Sequence, residues 1–378
     1  MANYATAKLI AETALPLLKD KISFLPLVNR RFDGTFRKAG DTIQVIKPQR
    51  VSTVDGSTDI SSKYNEVNQG TVDITLDTKR SVPFVITSKE MTLNMSDFTR
   101  DVIEPAVVAI SEYVNEGIAK KYVDIPYFTG TAGTTPSSLT DLAGARKVLN
   151  KNRAPNQMRS LVMDYDAEEK YVSLDSLVEV DKSGTNSALR DAALGRVYGM
   201  TLVADSGIQT HTAGGYTALT DVSITSGASG ATSIVLTSTA GASTAKLLKG
   251  DLFEIDGNQF VVTADTAAAV SGDIAAVSIY PALPKAFGDF TSAAVTFPDA
   301  TAGGHVANLA FQKDAFCFAT APLEPPLGGA DSYTITADGL TLRVVQDYDI
   351  NNDKSLWRMD ILFGIKTIYP ELATQVLG

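Results

Sequence analysis

The segment DFTRDVIEPAVVAISEYVNEGIAKKYV, residues 97–123, decides how the rest of the chain is read. Val102, Ala106, Ala109, Ile110, Tyr113, Val114, Gly117, Ile118 and Tyr122 recur at the three-and-four spacing of one helix face, which predicts the strongest helix in the sequence. Ser96 or Asp97 can cap it. Pro105 lacks an amide hydrogen, so it either kinks this helix or marks its true start. At about 25 residues and ~1.5 Å each, the rod would measure roughly 35–40 Å, the length of a scaffold element.

Upstream, residues 3–20 read as a helix with Leu9, Ala14, Leu17 and Leu18 broadly clustered, ended or kinked by Pro16. This arm has little core of its own. Its apolar face needs cover, and a neighbouring subunit is a candidate. Between arm and rod, Ile43, Val45 and Ile46, and then Val72, Ile74 and Leu76 alternating with Thr71, Asp73, Thr75 and Asp77, predict two strands. They frame residues 49–70, a hydrophilic stretch with too few apolar side chains to fold back on a core. Loops of that length are mostly functional or disordered. A strand through Val82, Phe84 and Ile86 brings the chain back, and Pro83 places it at a sheet edge.

Downstream, residues 138–205 alternate helix and strand: SLTDLAGARKVLNK, the buried strand RSLVMD, DAEEKYVSL opened by Asp164 or Asp166, and a third helix NSALRDAAL. The stretch GRVYGMTLVADSG, residues 195–207, has glycines that suggest a phosphate loop. A dinucleotide loop, however, places its glycines after a strand and before a helix. Here the order is reversed, so Gly195 reads as a helix stop, Gly199 as a turn and Gly207 as an exit. From about Ile208 to Phe297 the composition shifts to Gly, Ala, Ser and Thr with short β runs, among them a hairpin turning at Asp256-Gly257. That region reads as a small β module inserted into an α+β unit. The tail holds the apolar segment VANLAFQKDAFCFATAPL, the strands TLRVVQDYD and SLWRMDILFG, and a closing IKTIYPELATQVLG.

Composition bounds what such a chain does. With 378 residues it is long enough for more than one compact unit, and 44% hydrophobic and 20% charged residues are ordinary for globular proteins. A formal charge of −10 makes the average surface repel polyphosphate, which argues against sequence-specific DNA binding. The single cysteine, Cys317, sits in the apolar run AFCFA and reads as a buried thiol. No stretch approaches ~18 uninterrupted apolar residues, so no membrane span or signal-peptide core is expected. The chain is expected to be made and used in the cytosol, or in something assembled there.

The usual parts of an active site are missing from the sequence. The chain has two histidines, His211 and His305, and none of the Gly-x-Ser-x-Gly, His-Glu-x-x-His or Cys-x-x-Cys spacings. In DYDINNDKSLWR, Asp347, Asp349, Asn351 and Asp353 match the first four ligand positions of a calcium loop. The sixth position is Asn352 instead of glycine and the twelfth is Arg358 instead of glutamate, so a hairpin turn is the better reading. The acidic run 164–171 reads as a helix start, where carboxylates oppose the dipole, and Trp357 as core. No catalytic, metal or cofactor site is expected.

The order of arm, two-stranded excursion, backbone helix, α+β unit and returning C-terminal strands resembles the major capsid (coat) proteins of tailed bacteriophages. The resemblance is carried by the helix at 97–123, GRVYGMTLVADSG, VANLAFQKDAFCFATAPLEPP and SLWRMDILFGIKTIYPELATQVL. The inserted β module looks like that of the short-tailed Salmonella phage type. This resemblance implies the α+β fold of tailed-phage and herpesvirus-type capsids. Residues 1–32 would be the N-terminal arm, 33–84 the extended loop, and 85–127 the peripheral domain with its backbone helix. The axial domain would comprise 128–207 and 298–337, the inserted β-barrel-like domain 208–297, and the peripheral C-terminal strands 338–378. The implied function is self-assembly into an icosahedral shell around a double-stranded DNA genome. Its partners would be other copies in pentamers and hexamers, a scaffolding protein and a portal, with packaged DNA touched non-specifically and no membrane. The implied location is the virion, assembled in the host bacterial cytoplasm. Arg30, Arg31, Arg37, Arg50 and Lys63 are expected to pair with acidic patches on adjacent subunits. A competing reading is a β-rich decoration protein or adhesin that binds carbohydrate through aromatics of 208–297.

Overall fold

The structure, a computed structural model, describes residues 7–30, 42–47, 70–87, 102–179, 192, 194–215, 221–238, 245–270, 273–290, 294–299, 303–326, 330–337 and 340–378. The chain divides into two compact units. The first comprises Met1–Lys19, Arg30–Ile110 and Cys317–Ile368, the second Asp20–Asn29, Ser111–Phe316 and Tyr369–Gly378.

Helix α1 (Ala7–Lys21) runs straight through Pro16 instead of ending there. A proline inside a helix costs about 3 kcal/mol, but Ile10, Ala11, Ala14, Leu15 and Leu18 are all at most 5% exposed. Burial of the three large side chains, at about 1.5–3 kcal/mol each, outweighs that cost. The expectation of an arm whose apolar face waits for a neighbour is therefore corrected, because this face is covered within the chain.

Strands β1 (Thr42–Lys47) and β2 (Gly70–Thr75) pair antiparallel from Thr42↔Thr75 to Lys47↔Gly70. They are the two strands expected to flank the hydrophilic stretch, of which residues 48–69 lie outside the described residues. Strand β3 (Thr78–Thr87) carries Pro83. Helix α2 (Glu104–Ala119) has Pro105 as its second residue. Val102 and Ile103, just ahead of it, are already helical in the wider π form, so Pro105 lies inside the helical run, whose α-helical part spans 16 residues, roughly 24 Å; residues 97–101 lie outside the described residues. Val107, Ile110, Val114 and Ile118 form its buried stripe, whereas Ala109 is exposed. A 3-10 turn over Lys120–Asp124 closes it. Both cap candidates, Ser96 and Asp97, lie outside the described residues.

The second unit continues through β4 (Phe128–Gly130), α3 (Leu139–Lys151), β5 (Arg159–Met163), α4 (Tyr165–Val172) and α5 (Asp175–Val178). Asp164 opens α4 by accepting a hydrogen bond from the Ala167 amide at 3.3 Å, so the acidic run is a helix start. The proposed third helix, NSALRDAAL, falls largely outside the described residues, and Ala192 and Leu194 are not helical. Strands β6 (Arg196–Val197) and β7 (Met200–Ala204) form a hairpin. Its turn residues Tyr198 and Gly199 have φ of 48° and 80°, the left-handed pair of a tight hairpin turn. The glycine-rich stretch therefore builds sheet. Strand β8 (Thr210–Thr212) follows.

Six strands come next: β9 (Ser223–Ser226), β10 (Ser233–Thr237), β11 (Leu252–Ile255), β12 (Asn258–Val262), β13 (Asp273–Tyr280) and β14 (Val295–Thr296). They form one antiparallel sheet in the order β14-β11-β12-β13-β10-β9. A bridge between Ser223 and Ala294 joins its two ends, so the sheet closes on itself around Ile224, Leu236, Phe253, Phe260, Val262 and Val277. Asp256 and Gly257, with φ of 49° and 75°, make the expected β11–β12 turn.

The chain then runs through β15 (Gly304–Gln312), β16 (Phe316–Thr320), β17 (Asp331–Ala337), β18 (Leu340–Asp349), β19 (Lys354–Thr367) and β20 (Ala373–Leu377). In the second unit, a seven-stranded mixed sheet has the order β4-β20-β15-β5-β7-β6, with β8 also on β15. Its inner strands β5 and β20 are buried at every position, as strands covered on both faces must be. In the first unit the order is β16-β19-β18-β17, and β3 pairs with β19. Trp357 on β19 is 2% exposed and stacks on Phe84 of β3 with ring centroids 6.3 Å apart, confirming it as core. Cys317 is buried as expected.

Candidate functional site

Register brings together the two histidines that the sequence leaves apart. Strands β8 and β15 pair with Gly304 opposite Thr212 and His305 opposite His211. The strands lie so close that a Cβ on Gly304 would sit 2.3 Å from the His211 carbonyl oxygen, which only glycine avoids. The two imidazole centroids are 5.2 Å apart, and the rings are 4% and 2% exposed.

Each ring is paired with a fully buried carboxylate. His211 Nε2 lies 2.8 Å from Asp251 Oδ1, and His305 Nδ1 lies 2.9 Å from both oxygens of Asp299. The Gly214 and Leu248 amides also donate to Asp251. The second nitrogen of His211 meets the Tyr122 hydroxyl at 3.0 Å, and that of His305 meets Gln375 Oε1 at 3.1 Å. Gln375 Nε2 in turn donates to the Tyr122 and Ile125 carbonyls at 3.0 and 2.9 Å.

The donor and acceptor chemistry of the partners limits how the rings can be satisfied. Because the Gln375 amide nitrogen faces carbonyls, its oxygen faces His305, so both ring nitrogens of His305 look at acceptors. His211 is satisfied by one neutral tautomer, with Nε2–H donating to Asp251 and Nδ1 accepting from Tyr122. Five stretches of the second unit meet here: the end of α2, β8, the turn before β11, the approach to β15, and β20. Both histidines, their carboxylates, Tyr122 and Gln375 are buried and partnered, so the arrangement acts as a clip among these stretches.

Burial, followed by the charges of Asp251 and Asp299, pushes the Tyr122 hydroxyl up to about 12. A phenol held in its protonated form above its ordinary value of about 10 adds stability that is complete below pH 10 and lost as pH rises toward 12. Unfolding free energy should therefore fall by roughly 2–3 kcal/mol across that window from this group. Urea titrations at pH 9 and pH 11.5 check it: Tyr122→Phe should shrink the alkaline loss, leaving the part due to Tyr171, which burial also raises. An unchanged alkaline loss in the Phe variant would refute the assignment.

One signal could have found this cluster. The tetrapeptide Thr-Ala-Gly-Gly follows His211 at 212–215 and precedes His305 at 301–304, bracketing the two rings from opposite sides.

The positions predicted for inter-subunit contact are mostly not placed. Arg30 is half-buried at the end of the segment after α1, and Arg31, Arg37, Arg50 and Lys63 lie outside the described residues. In the calcium-like segment, Asp349 Oδ1 accepts from the Asn351 amide at 3.0 Å and Oδ2 from Asn352 Nδ2 at 2.6 Å. These bonds make it the turn of the β18–β19 hairpin.

The chain matches no protein-family model and resembles no curated protein sequence. Solved structures do resemble it. One, from Mycobacterium phage Che8, has a TM-score of 0.52 at 14% identity, covering 94% of this chain and 90% of its own. The acidic stable capsid of Helicobacter pylori bacteriophage KHP30 gives 0.49 at 10% identity, covering 94% and 91%. The capsid of cyanophage P-SCSP1u gives 0.47 at 11%, covering 90% and 84%. At these identities the likeness to the Mycobacterium phage structure shows a shared fold.

Proposed function

We propose that this chain is a tailed-phage major capsid protein, a structural subunit that self-assembles into an icosahedral shell around double-stranded DNA. The observation that carries this reading is a fold shared along 94% of the chain with the Mycobacterium phage structure. The paired strands β1 and β2, flanking a hydrophilic stretch of the sequence, support it, since an extended loop of that kind suits a subunit that lies over its neighbour. Helix α1 lends it no support, because its apolar face is covered within the chain.

Within this reading, residues 1–32, 33–84, 85–127, 128–207 with 298–337, and 338–378 are the arm, extended loop, peripheral, axial and C-terminal peripheral segments. The closed six-stranded sheet is a module inserted into the axial domain, as in the short-tailed Salmonella phage type. Its support is topological: the chain leaves the seven-stranded sheet at β8 and re-enters it at β15, the strand paired with β8. The histidine clip then fastens the base of the module and has a structural, not a catalytic, role. Arg30, Arg31, Arg37, Arg50 and Lys63 pair with acidic patches of adjacent copies, setting register more than strength, since exposed pairs contribute about 0–1 kcal/mol each. Pentamers and hexamers of the chain, a scaffolding protein and a portal are its partners, and the virion, built in the bacterial cytoplasm, is its location.

The carbohydrate-binding reading needs exposed aromatics. Phe253 and Phe260 are fully buried, Phe290 and Phe297 pack against the module core, Tyr280 is half-buried against Leu252 and Val261, and Phe287 is 37% exposed. Tyr216 lies outside the described residues. Electron microscopy of the purified chain tests the shell reading: closed shells are expected, and only monomers or small open oligomers across concentration and salt would overturn it.

A further inference from the structure

The second unit separates its charge along one face of the seven-stranded sheet. Helices α3 and α4 share a single hydrophobic cluster with that face, through Leu142, Ala145 and Leu149 of α3 and Ala167 and Tyr171 of α4. Helix α3 packs on β4 and β20, at one end of the sheet. Helix α4 belongs to the crossover from β5 to its parallel partner β7, toward the other end. Three strand spacings separate these positions, roughly 15 Å.

Around α3, residues 139–153 carry Arg146, Lys147, Lys151 and Arg153 against the single acid Asp141. Around α4 and α5, residues 164–179 carry Asp164, Asp166, Glu168, Glu169, Asp175 and Glu179 against the single base Lys170. In a chain of net charge −10, the basic end stands apart from the average surface.

The basic end is also concave. A cleft of about 630 Å³ opens beside α3, with Lys147 and Lys151 on one side and Phe128, Phe260, Pro281 and Pro284 among its walls. Among the described residues, no acidic side chain lines it. Both lysines are exposed, and among the described residues neither has an ion-pair partner. Its size is that of a pocket able to enclose a large side chain and more. The acidic end offers such a side chain: Tyr165, the first residue of α4, is 58% exposed and sits beside the exposed carboxylates of Asp166 and Glu169.

We propose that the Lys147–Lys151 cleft of one copy receives the Tyr165–Glu169 face of α4 from the next copy. The aromatic ring enters between Phe128 and the Pro281–Pro284 wall, and the carboxylates meet the two ammonium groups at the rim. A buried aromatic anchor ringed by polar contacts is the arrangement that concentrates binding energy in protein interfaces. Donor and acceptor surfaces are different patches of the same unit, so the contact is head-to-tail, of the kind that closes a ring of subunits when its rotation allows, instead of pairing two copies about a two-fold axis. The inference rests on the shell reading and specifies which faces meet within a ring of subunits.

Charge swapping tests it. Lys147→Glu with Lys151→Glu, and separately Asp166→Lys with Glu169→Lys, should each cut the assembled fraction by roughly tenfold or more, because like charges then face each other. The quadruple variant, with both sides exchanged, should recover assembly to within about twofold of the wild type. Tyr165→Ala should weaken assembly in the same way without altering the charge. Thermal melting of each variant separates failed association from failed folding, since all five positions are surface residues. Either one-sided variant assembling like the wild type overturns the contact, and so does a quadruple variant no better than its parents. A wild-type chain that never assembles overturns the shell reading itself.

Discussion

Replacing Asp299 by alanine is expected to destabilise the second unit by about 3–5 kcal/mol, read as a shift in the urea midpoint followed by circular dichroism. The magnitude follows from what is left behind. Asp299 and His305 are both fully buried as side chains, and Asp299 accepts at both oxygens from the His305 ring. Without the carboxylate, the buried His305 Nδ1 loses its partner while Nε2 still faces Gln375 Oε1. Removing one member of a buried pair costs this much because the survivor is stranded, whereas removing both costs far less. His305→Phe combined with Asp299→Leu should therefore recover most of the loss. An exposed pair such as Lys8–Glu12, with side chains 62% and 46% exposed, sets the lower end of the scale, and Glu12→Ala should cost at most about 0.5 kcal/mol. If Asp299→Ala unfolds within 1 kcal/mol of the wild type, the clip is not what holds these five segments.

Much of the architecture can be read from the sequence, because burial pattern and turn chemistry act locally. The alternation Val72, Ile74, Leu76 and the Asp256-Gly257 turn needed no tertiary knowledge, and neither did the β6–β7 turn at Gly199, where a left-handed backbone is required. The failures share a cause. Pro16 argues for a break in α1 by local rules, yet burial of Ile10, Leu15 and Leu18 overrides it. Strand β17, with the sequence DSYTITA, has too few apolar residues to announce itself and exists through its pairing with β18. The closing segment ATQVL hides a strand buried at every position between β4 and β15, because its polar members Thr374 and Gln375 are buried as well.

The clip escaped the sequence for the same reason. Its members lie at 122, 211, 251, 299, 305 and 375, and only the β8–β15 register and the fold of β20 make them neighbours. Motif reading looks for catalytic spacings, and the two histidines matched none of them. A buried ion pair joined to an amide relay has no spacing rule of its own, since it obeys only the demand that every buried donor and acceptor be satisfied. The lysine cleft is invisible for a different reason: Lys147 and Lys151, four apart on a helix, look like an ordinary solvated stripe until Phe260 and Pro281 arrive from the closed sheet.

The first unit holds its own test of the same physics, with an internal control. Asp360 on β19 is fully buried opposite Arg343 of β18, and the Arg343 side chain is 7% exposed. Arg343 Nε donates to Asp360 at 3.1 Å, and Arg358, whose side chain is 42% exposed, reaches the same carboxylate at 3.0 Å. Two guanidinium groups thus share one anion, but they do not depend on it equally. Arg358 can turn to water when the carboxylate is removed, whereas Arg343 cannot. Asp360→Ala is therefore expected to cost about 3–5 kcal/mol, and Arg358→Ala at most about 1 kcal/mol. Trp357, the only tryptophan in the chain, is three residues away on the same strand and buried, so its fluorescence during urea unfolding reports on this sheet directly. Equal losses for the two variants would mean that the exposed arginine matters as much as the buried one. That result would refute the claim that desolvation of Arg343, and not the number of charges around Asp360, sets the cost.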